Sequence, residues 1–282
     1  MRTVVFGAKG QLGRDLVARF RREGEVVGVD LPEVDIADAP AVESVCQDFR
    51  PDRVINAAAY TDVEQAEDDE AGVFRVNETG AAHVASAAAH FGIPVLYYST
   101  DYVFSGTKQS PYEPDDPPTP LCVYGRSKAA GEAATRNANP RHFILRTAWL
   151  YGPGGNNFVE KILRAAATRP ALRVVRDEAG SPTHTWDLAE ATAALLMTTD
   201  YGVYHAVNEG ACTRDAFARA ILRCAGLKTT VTGCLSDEFP TKARRPAYSV
   251  LSNARLAQRT GHVMRSWEAA LDAYIKRRNS EE

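Results

Sequence analysis

The chain has 282 residues, of which 45% are apolar, and a formal net charge of −3, so it can bury a large core as one big or two interlocked domains. This charge excludes a general attraction for nucleic-acid phosphates or anionic lipid, and the short basic clusters, such as residues 242–245, are interpreted as solvated faces. Five cysteines without a CxxC pair indicate reduced thiols and a cytoplasmic location, without a disulfide framework or zinc site. No apolar stretch approaches the length of a membrane span.

A strand, a glycine turn and a helix are predicted at the start of the chain. Residues 2–6 form a β-branched run, a GxxGxxG string follows, and residues 15–22 have an amphipathic helical pattern. In a dinucleotide-binding turn, Gly7 would take the tight turn, Gly10 would let the backbone approach a pyrophosphate, and Gly13 would let the helix pack closely on the strand. A helix start that merely contains small residues is the alternative interpretation.

The second predicted strand, residues 25–29, ends at Asp30. A carboxylate at this position can accept hydrogen bonds from the adenosine ribose and would repel a 2′-phosphate, so Asp30 favours NADH. Lys9 in the glycine turn could soften that rejection, which leaves both NADPH and NADH open. A loop acid that only caps the strand is the alternative. Asp35 and Ile36 follow, and this pair suits the amino group and ring face of adenine.

Strands and helices continue to alternate along the first half of the chain. Helices are predicted at residues 39–49 and 71–91 and from Tyr124 onward, and strands at residues 53–56, 95–99 and 142–146. Such alternation predicts a parallel sheet with helices on both faces. Small residues after the third strand, from Ala57 to Ala59, would let the nicotinamide half of a cofactor approach the backbone.

The pattern loosens after residue 150. Helices are predicted at residues 158–167, 187–197, 216–225 and 267–276, with a short strand at residues 173–175. We therefore expect a dinucleotide-binding domain at residues 1–150 and a smaller, mainly helical substrate lobe at residues 151–282. The two should be interleaved, with part of residues 183–207 returning to the first domain.

Tyr124 and Lys128 are spaced so that both lie on one face of a helix. A neighbouring ammonium should lower the pKa of the phenol from its usual value of about 10, so that Tyr124 could transfer protons near neutral pH. Thr100, at the end of the fourth strand, is expected beside the nicotinamide. A YxxxK string occurs by chance in many helices, so the interpretation depends on these accompanying features.

Together, these features resemble the extended short-chain dehydrogenases/reductases, whose fold is a Rossmann-like doubly wound parallel sheet. More particular strings, among them YYSTDYVFSG, WLYGPGGNNF and the AxRPxxSxL pattern at residues 243–251, resemble the dTDP-4-dehydrorhamnose reductase family over nearly the whole chain. The resemblance implies NADPH- or NADH-dependent reduction of the C4 ketone of dTDP-4-dehydro-β-L-rhamnose to dTDP-L-rhamnose. It also implies that Tyr124 donates a proton, that Lys128 holds the nicotinamide ribose, and that Thr100 binds the ketone oxygen.

The resemblance implies two further sets of binding residues. The expected cofactor residues are Gly7, Gly10, Gln11, Leu12, Gly13, Asp30, Asp35, Ile36, Ala59, Tyr60, Thr61, Tyr124 and Lys128. The expected substrate residues are Val63, Thr100, Asp101 and Trp149. For the substrate diphosphate, Arg245 and Lys161 are candidate counterions and Asn157 is a candidate donor, with an ordinary surface charge or loop amide as the alternative for each. Asn77 matches the superfamily's active-site asparagine only loosely and is left out of the catalytic set. Some relatives bind Mg²⁺ at a dimer contact, so Mg²⁺ and a homodimer are possible, but no ligands can be assigned.

Four other functions stay open. A nucleotide-sugar 4,6-dehydratase shares the Thr100–Asp101 pair but places glutamate next, where this chain has Tyr102. A C4 epimerase, or a reductase of another 4-keto nucleotide sugar, would carry almost the same motifs. The fourth is a non-catalytic regulator, because the β subunit of methionine adenosyltransferase resembles the same reductases and a fold does not establish turnover.

Overall fold

The computed structural model of the protein describes residues 1–281. Its strands, in chain order, are β1 (Arg2–Phe6), β2 (Glu25–Val29), β3 (Arg53–Asn56), β4 (Val95–Thr100), β5 (His142–Thr147), β6 (Leu150–Tyr151), β7 (Ala171–Val175), β8 (Ala179–Gly180), β9 (Thr183–His184), β10 (Gly202–His205), β11 (Cys212–Thr213) and β12 (Thr230–Cys234). Its α-helices are α1 (Gln11–Phe20), α2 (Ala39–Phe49), α3 (Glu70–Phe74), α4 (Ala81–His90), α5 (Val123–Ala138), α6 (Phe158–Ala166), α7 (Thr185–Leu196), α8 (Arg214–Cys224), α9 (Ala254–Thr260) and α10 (Trp267–Glu281).

Six parallel strands form the central sheet in the order β10-β5-β4-β3-β1-β2. The chain runs from β1 to the edge strand β2 and then crosses to β3 on the other side of β1. This reversal opens a crevice beyond the carboxyl ends of β1 and β3, which is where open α/β sheets bind ligands.

Alternate residues of β1 pack on opposite faces of the sheet, as the two-residue period of a strand requires. Val5 joins a buried cluster with Leu16 of α1 and residues of α7. Val4 and Phe6 join another with Val42 of α2 and residues of α4. Helices therefore cover both faces, which confirms the predicted α/β class with a doubly wound parallel sheet.

The remaining chain forms a second cluster of buried side chains. Phe217 of α8 is fully buried there, with Val159 of α6 and Trp267 of α10 around it. β7 and β12 pair in parallel beside α8 and form a small sheet. Only β7 was predicted from the sequence, so this sheet was not expected. Residues after 150 also join the central layers, since β10 pairs with β5 and α7 packs against α1.

The long helix predicted at residues 71–91 is interrupted. α3 and α4 are separated by a wider π-helical turn, Arg75–Gly80, and Asn77 in this turn is buried. Such turns occur frequently at functional sites, because they re-aim side chains and free backbone carbonyls. The freed carbonyl of Asn77 accepts a hydrogen bond from the Tyr97 hydroxyl at 3.2 Å.

Candidate active site

A cleft of about 640 Å³ lies at the carboxyl ends of the central strands. It brings together most of the residues singled out in the sequence. Those that line it are Gly7, Gly10, Gln11, Leu12, Gly13, Asp30, Asp35, Ile36, Ala59, Thr61, Val63, Thr100, Asp101, Tyr124, Lys128 and Trp149.

The glycine turn has the geometry of a phosphate cradle. Gly7 has φ +79°, a conformation that favours glycine, and a Cβ on it would lie 2.5 Å from the backbone nitrogen of Ala58. A Cβ on Gly13 would lie 2.0 Å from the Gly7 carbonyl oxygen, so only glycine allows this approach of α1 to the turn. The first residues of α1 line the cleft, and the start of a helix offers unpaired backbone amides to an anion. The turn therefore fits the pyrophosphate of a dinucleotide.

Asp30 already accepts two backbone hydrogen bonds. Its Oδ2 accepts from the Lys9 amide at 2.7 Å, and its Oδ1 accepts from the Leu31 amide at 2.8 Å. Both carboxylate oxygens thus hold the glycine turn against the end of β2. Asp30 therefore caps the end of β2, which is the alternative role predicted for this carboxylate.

Two cations line the adenosine end of the cleft. Lys9 Nζ lies 2.6 Å from Glu33 Oε2, and Arg75 Nη1 lies 2.8 Å from Asp35 Oδ2. The hydrogen bond from Arg75 lowers the pKa of the Asp35 carboxyl. This end of the cleft therefore contains paired charges of both signs rather than a lone carboxylate.

Thr100 connects the residues at the chemical end of the cleft. Its Oγ1 donates to Asp101 Oδ1 at 3.0 Å and accepts from the Tyr102 amide at 3.2 Å, and the Tyr124 ring lies edge-on to the Tyr102 ring, with 5.6 Å between the ring centroids. Burial raises the pKa of Asp101 to about 6, although the hydrogen bond from Thr100 opposes the shift. The Thr100 hydroxyl, the Asp101 carboxyl and the Tyr124 phenol therefore line the same cleft.

The pKa of Tyr124 is raised, not lowered as the helical spacing suggested. Burial is the main cause, and the nearby Thr100 hydroxyl only partly opposes it. Lys128 Nζ lies over the Tyr97 ring, 4.1 Å from its centroid, and burial lowers the pKa of Lys128 to about 7. Because burial penalises the charged form of each group, the phenol and the amine are both shifted toward neutrality.

Asn77 connects the loop after β3 to α5. Its Oδ1 accepts from the Tyr60 amide at 2.9 Å, while its Nδ2 donates to the Tyr60 carbonyl at 3.1 Å and to Ser127 Oγ at 2.9 Å. Ser127 belongs to α5, next to Lys128. Asn77 thus fixes the backbone of Tyr60, whose side chain is not among those that line the cleft.

Comparisons with known proteins agree with this geometry. A family described as "RmlD substrate binding domain" matches residues 1–280. The dTDP-4-dehydrorhamnose reductase of Mycobacterium tuberculosis is 42% identical over 278 residues, which cover 96% of this chain and 91% of that protein. The chain belongs to the dTDP-4-dehydrorhamnose reductase family. The predicted family and its oxidoreductase class are therefore confirmed.

Two further relatives support the same assignment to this reductase family. The spore coat polysaccharide biosynthesis protein SpsK of Bacillus subtilis is 40% identical over 280 residues, covering 99% of this chain and 98% of that protein. A crystal structure of the Bacillus anthracis dTDP-4-dehydrorhamnose reductase in complex with NADP is 37% identical, with a TM-score of 0.95. It covers 98% of this chain and 99% of that chain. A nicotinamide cofactor is thus supported for the family.

The reductase has a second cavity of about 920 Å³ beside the cleft. Arg245, expected at the substrate diphosphate, lines this outer cavity, but its guanidinium is already engaged. Nη2 donates to Glu64 Oε1 at 2.7 Å, and Nη1 donates to the Tyr102 hydroxyl at 3.3 Å. Lys161, another diphosphate candidate, lines the same cavity.

Asn157 is not among the residues that line either cavity, although its Nδ2 donates to Oε1 of Gln11 in the cleft lining at 3.3 Å, and its role in substrate binding stays a prediction. It is the N-cap of α6: its Oδ1 accepts from the Glu160 amide at 3.1 Å, and its Nδ2 donates to the Gly152 carbonyl at 3.0 Å. Asparagine is a favoured N-cap, because its side-chain oxygen satisfies an otherwise unpaired amide at the helix start.

Trp149 and Arg214 form the wall between the two cavities of the reductase. Trp149 has φ +46°, an uncommon conformation for a residue other than glycine, and its ring lies against Gly180, where a Cβ would come within 2.5 Å. Arg214 was missed in the sequence. It starts α8 of the second lobe, and no local pattern indicates that this residue reaches the cleft.

Within residues 1–281, the reductase contains no group of three or more His, Cys, Asp or Glu side chains that could hold a metal ion. Across the same residues, none of the helices is both long and apolar enough to span a bilayer.

Proposed function

We propose that this chain reduces the C4 ketone of dTDP-4-dehydro-β-L-rhamnose to dTDP-L-rhamnose. The observation that carries the proposal is that Thr100 and Tyr124 line the same cleft as a glycine turn that fits a dinucleotide. The names of the relatives that span nearly the whole chain support the same substrate. The outer cavity offers room for the nucleotide beyond the sugar.

Tyr124 acts as the proton donor to the ketone oxygen. A reduced nicotinamide, held by the glycine turn and Lys128, supplies the hydride when bound. The raised pKa keeps the phenol protonated at neutral pH, so it yields its proton only as negative charge develops on the substrate oxygen. Thr100 hydrogen-bonds the same oxygen, and such fixed donors stabilise the charge without having to reorganise.

We expect the protein to accept NADPH at least as well as NADH. The Asp30 oxygens face the amides of Lys9 and Leu31, and the cations of Lys9 and Arg75 stand nearby to receive a 2′-phosphate. The NADP bound by the Bacillus anthracis relative agrees. The test is the ratio of kcat/KM for the two cofactors, and a kcat/KM for NADPH at least ten times lower than that for NADH would contradict this part of the proposal.

A Tyr124→Phe variant tests the assignment of the proton donor. We expect kcat to fall by about 10²–10⁴-fold with the 4-keto sugar nucleotide, the usual contribution of general acid catalysis. Binding of NADPH, followed by its fluorescence, should stay unchanged. Tyr201→Phe, outside both cavities, is the matched control and should keep full activity. Full activity of Tyr124→Phe would refute the assignment.

The same coupled assay, run with several 4-keto nucleotide sugars, separates the remaining alternatives. A different preferred sugar would change the substrate but keep the reaction. No turnover of any of them by the wild-type chain would favour the non-catalytic regulator. A dehydratase lacks support, because Tyr102 stands where the second acid–base carboxylate is needed and burial raises its pKa to about 12.

The cytoplasm is the proposed location, since all five cysteines are free in the structure. A homodimer stays a prediction, which sedimentation of the purified protein would test.

A further inference from the structure

We propose that Arg214 binds the phosphate next to the sugar and so makes this site selective for nucleoside diphosphate sugars over monophosphates. The proposal rests on the proposed function, because it places the reacting carbon of the sugar at Tyr124 and the nucleotide in the outer cavity.

Arg214 stands at the passage between the two cavities. Within residues 1–281, it is the one residue that lines both the catalytic cleft and the outer cavity. A substrate that spans them must therefore pass its guanidinium. In a hexose nucleotide the diphosphate leaves C1, across the ring from C4, so a C4 held at Tyr124 directs the first phosphate away from the catalytic residues and toward this passage.

The guanidinium of Arg214 is positioned but not saturated. Its central carbon lies 3.4 Å from the centroid of the Trp149 ring and 5.4 Å from that of Phe158, which orients the planar group. Nε makes one long hydrogen bond, at 3.4 Å, to Glu178 Oε2. In the described part of the chain the two terminal amino groups donate no hydrogen bond, although a guanidinium carries five N–H donors.

Two other cations of the outer cavity are more firmly paired, and two more, Lys161 and Arg244, are exposed. Arg245 is bound to Glu64 at 2.7 Å and Arg173 to Glu238 at 2.6 Å, whereas the contact of Arg214 with Glu178 is 3.4 Å. The side chain of Arg214 is also only 13% exposed, so water screens its charge less than on the open surface. Arg214 thus combines partial burial with spare donors.

The charge of Arg214 also reaches the catalytic end of the cleft. It opposes the burial-driven rise in the pKa of Asp101 and also opposes the rise in the pKa of Tyr102.

A planar guanidinium matches two phosphate oxygens at once, which an ammonium cannot do. The geometry therefore fits a phosphate group one sugar ring away from Tyr124.

A purely structural role for Arg214 makes a different prediction. If the side chain only completes the stack on Trp149 and pairs with Glu178, its removal would affect all nucleotide ligands alike. A phosphate contact would instead affect the ligand that carries the second phosphate.

The test compares the binding of dTDP and dTMP to the holoenzyme by titration calorimetry. In the wild type dTDP should bind more tightly than dTMP. In Arg214→Gln this advantage should shrink by about 10- to 100-fold, the loss expected for a hydrogen bond to a charged group, while dTMP binding changes less than about threefold. Arg214→Lys should fall between the two, because it keeps the charge but not the planar fork.

Arg219→Gln is the matched control. Arg219 lies on the same helix, pairs with Asp215 at 2.6 Å and lines neither cavity, so both affinities should equal those of the wild type. Turnover by Arg214→Gln should show a raised KM for the sugar nucleotide with a smaller change in kcat. An unchanged ratio of dTDP to dTMP affinity in Arg214→Gln, or in Arg214→Lys if the first variant does not fold, would overturn the proposal.

Failure of the proposed function gives a different result. If the wild type turns over no 4-keto sugar nucleotide, the reductase activity is refuted. If Arg214→Gln nevertheless lacks the preference for dTDP that the wild type shows, the phosphate site is still supported.

Discussion

Arg245 Nη2 donates to Glu64 Oε1 across 2.7 Å and so joins the loop after β12 to the acidic segment that follows β3. The Glu64 Oε2 accepts from the Lys242 amide at 2.8 Å, and the Lys242 ammonium pairs with Asp68. The basic residues 242–245, interpreted from sequence as a solvated face, thus include two residues that bind the first half of the chain. We call these contacts the Glu64 bridge.

Loss of the Glu64 bridge should loosen the loop without unfolding the protein. We expect Glu64→Gln to speed tryptic cleavage after Lys242 or Arg244 by up to about fivefold, since partly exposed ion pairs contribute about 0–1 kcal/mol. Glu70→Gln breaks an exposed pair with Arg126 elsewhere and is the control, with unchanged cleavage. Equal cleavage rates for Glu64→Gln and wild type would show that the bridge does not restrain the loop.

The sequence was sufficient for five of the six strands of the central sheet, because the signals of these five are local. β-branched runs, the glycine turn and the alternation of elements are read within a few residues, and the structure has five of the predicted strands where they were expected. β10 and β12 were not recognised, because each becomes a strand only by pairing with a partner that is distant in sequence, β5 and β7 respectively.

The site was only partly predictable for a related physical reason. Helical spacing places Tyr124 and Lys128 on one face, but it does not show that the lysine stem turns toward Tyr97 or how deeply the phenol is buried. Arg214 reaches the cleft only through the folding of the second lobe. The role of Asn157 as a helix cap depended on where α6 begins.

Asp101 should make the protein less stable as pH rises. Burial raises its pKa from 3.8 to about 6, so between these values the folded state binds more protons than the unfolded state. The free energy of unfolding therefore falls with pH through this window. The unfolding free energy of Asp101→Asn minus that of the wild type should rise by about 1–2 kcal/mol from pH 5 to pH 8, as measured by urea denaturation.

For Asp101→Asn, only the change of the unfolding free energy with pH tests the raised pKa. Altered contacts with Thr100 and Ser249 shift the unfolding free energy by an amount that does not depend on pH. Asp237→Asn, on an exposed turn, controls for the loss of a carboxylate and should show no such change. A difference from wild type that is constant between pH 5 and pH 8 would contradict the raised pKa.

Lys128 should take up a proton when a cofactor binds. Burial lowers its pKa to about 7, so at pH 8 much of the amine is neutral in the free protein. The negative charge of a bound pyrophosphate favours the ammonium and should raise this pKa. Calorimetric titration with NADH in buffers of different ionisation enthalpy should show an uptake of up to about one proton at pH 8.

The Lys128→Met variant isolates this proton, because its other titratable groups are those of the wild type. We expect the binding enthalpy of NADH to depend less on the buffer in this variant than in the wild type. The difference should equal the fraction of a proton that Lys128 takes up when NADH binds. NADH is used rather than NADPH so that the 2′-phosphate does not titrate. Identical buffer dependence of the two proteins would contradict the prediction, because it would mean that Lys128 does not change its protonation when NADH binds.

Glu132 of α5 and Arg146 of β5 form a buried ion pair. The side chains are each 2% exposed, with Nε donating to Oε1 at 2.8 Å and Nη2 to Oε2 at 2.7 Å. Glu132→Gln leaves a buried guanidinium without its counterion, so we expect a loss of about 3–5 kcal/mol in unfolding free energy by urea denaturation. Glu132→Leu combined with Arg146→Met removes both charges and should recover most of that loss. The exposed pair Lys276–Asp272 is the control, and Asp272→Asn should leave the unfolding free energy almost unchanged. A double variant as unstable as the sum of its single variants would show that the two charges do not depend on each other.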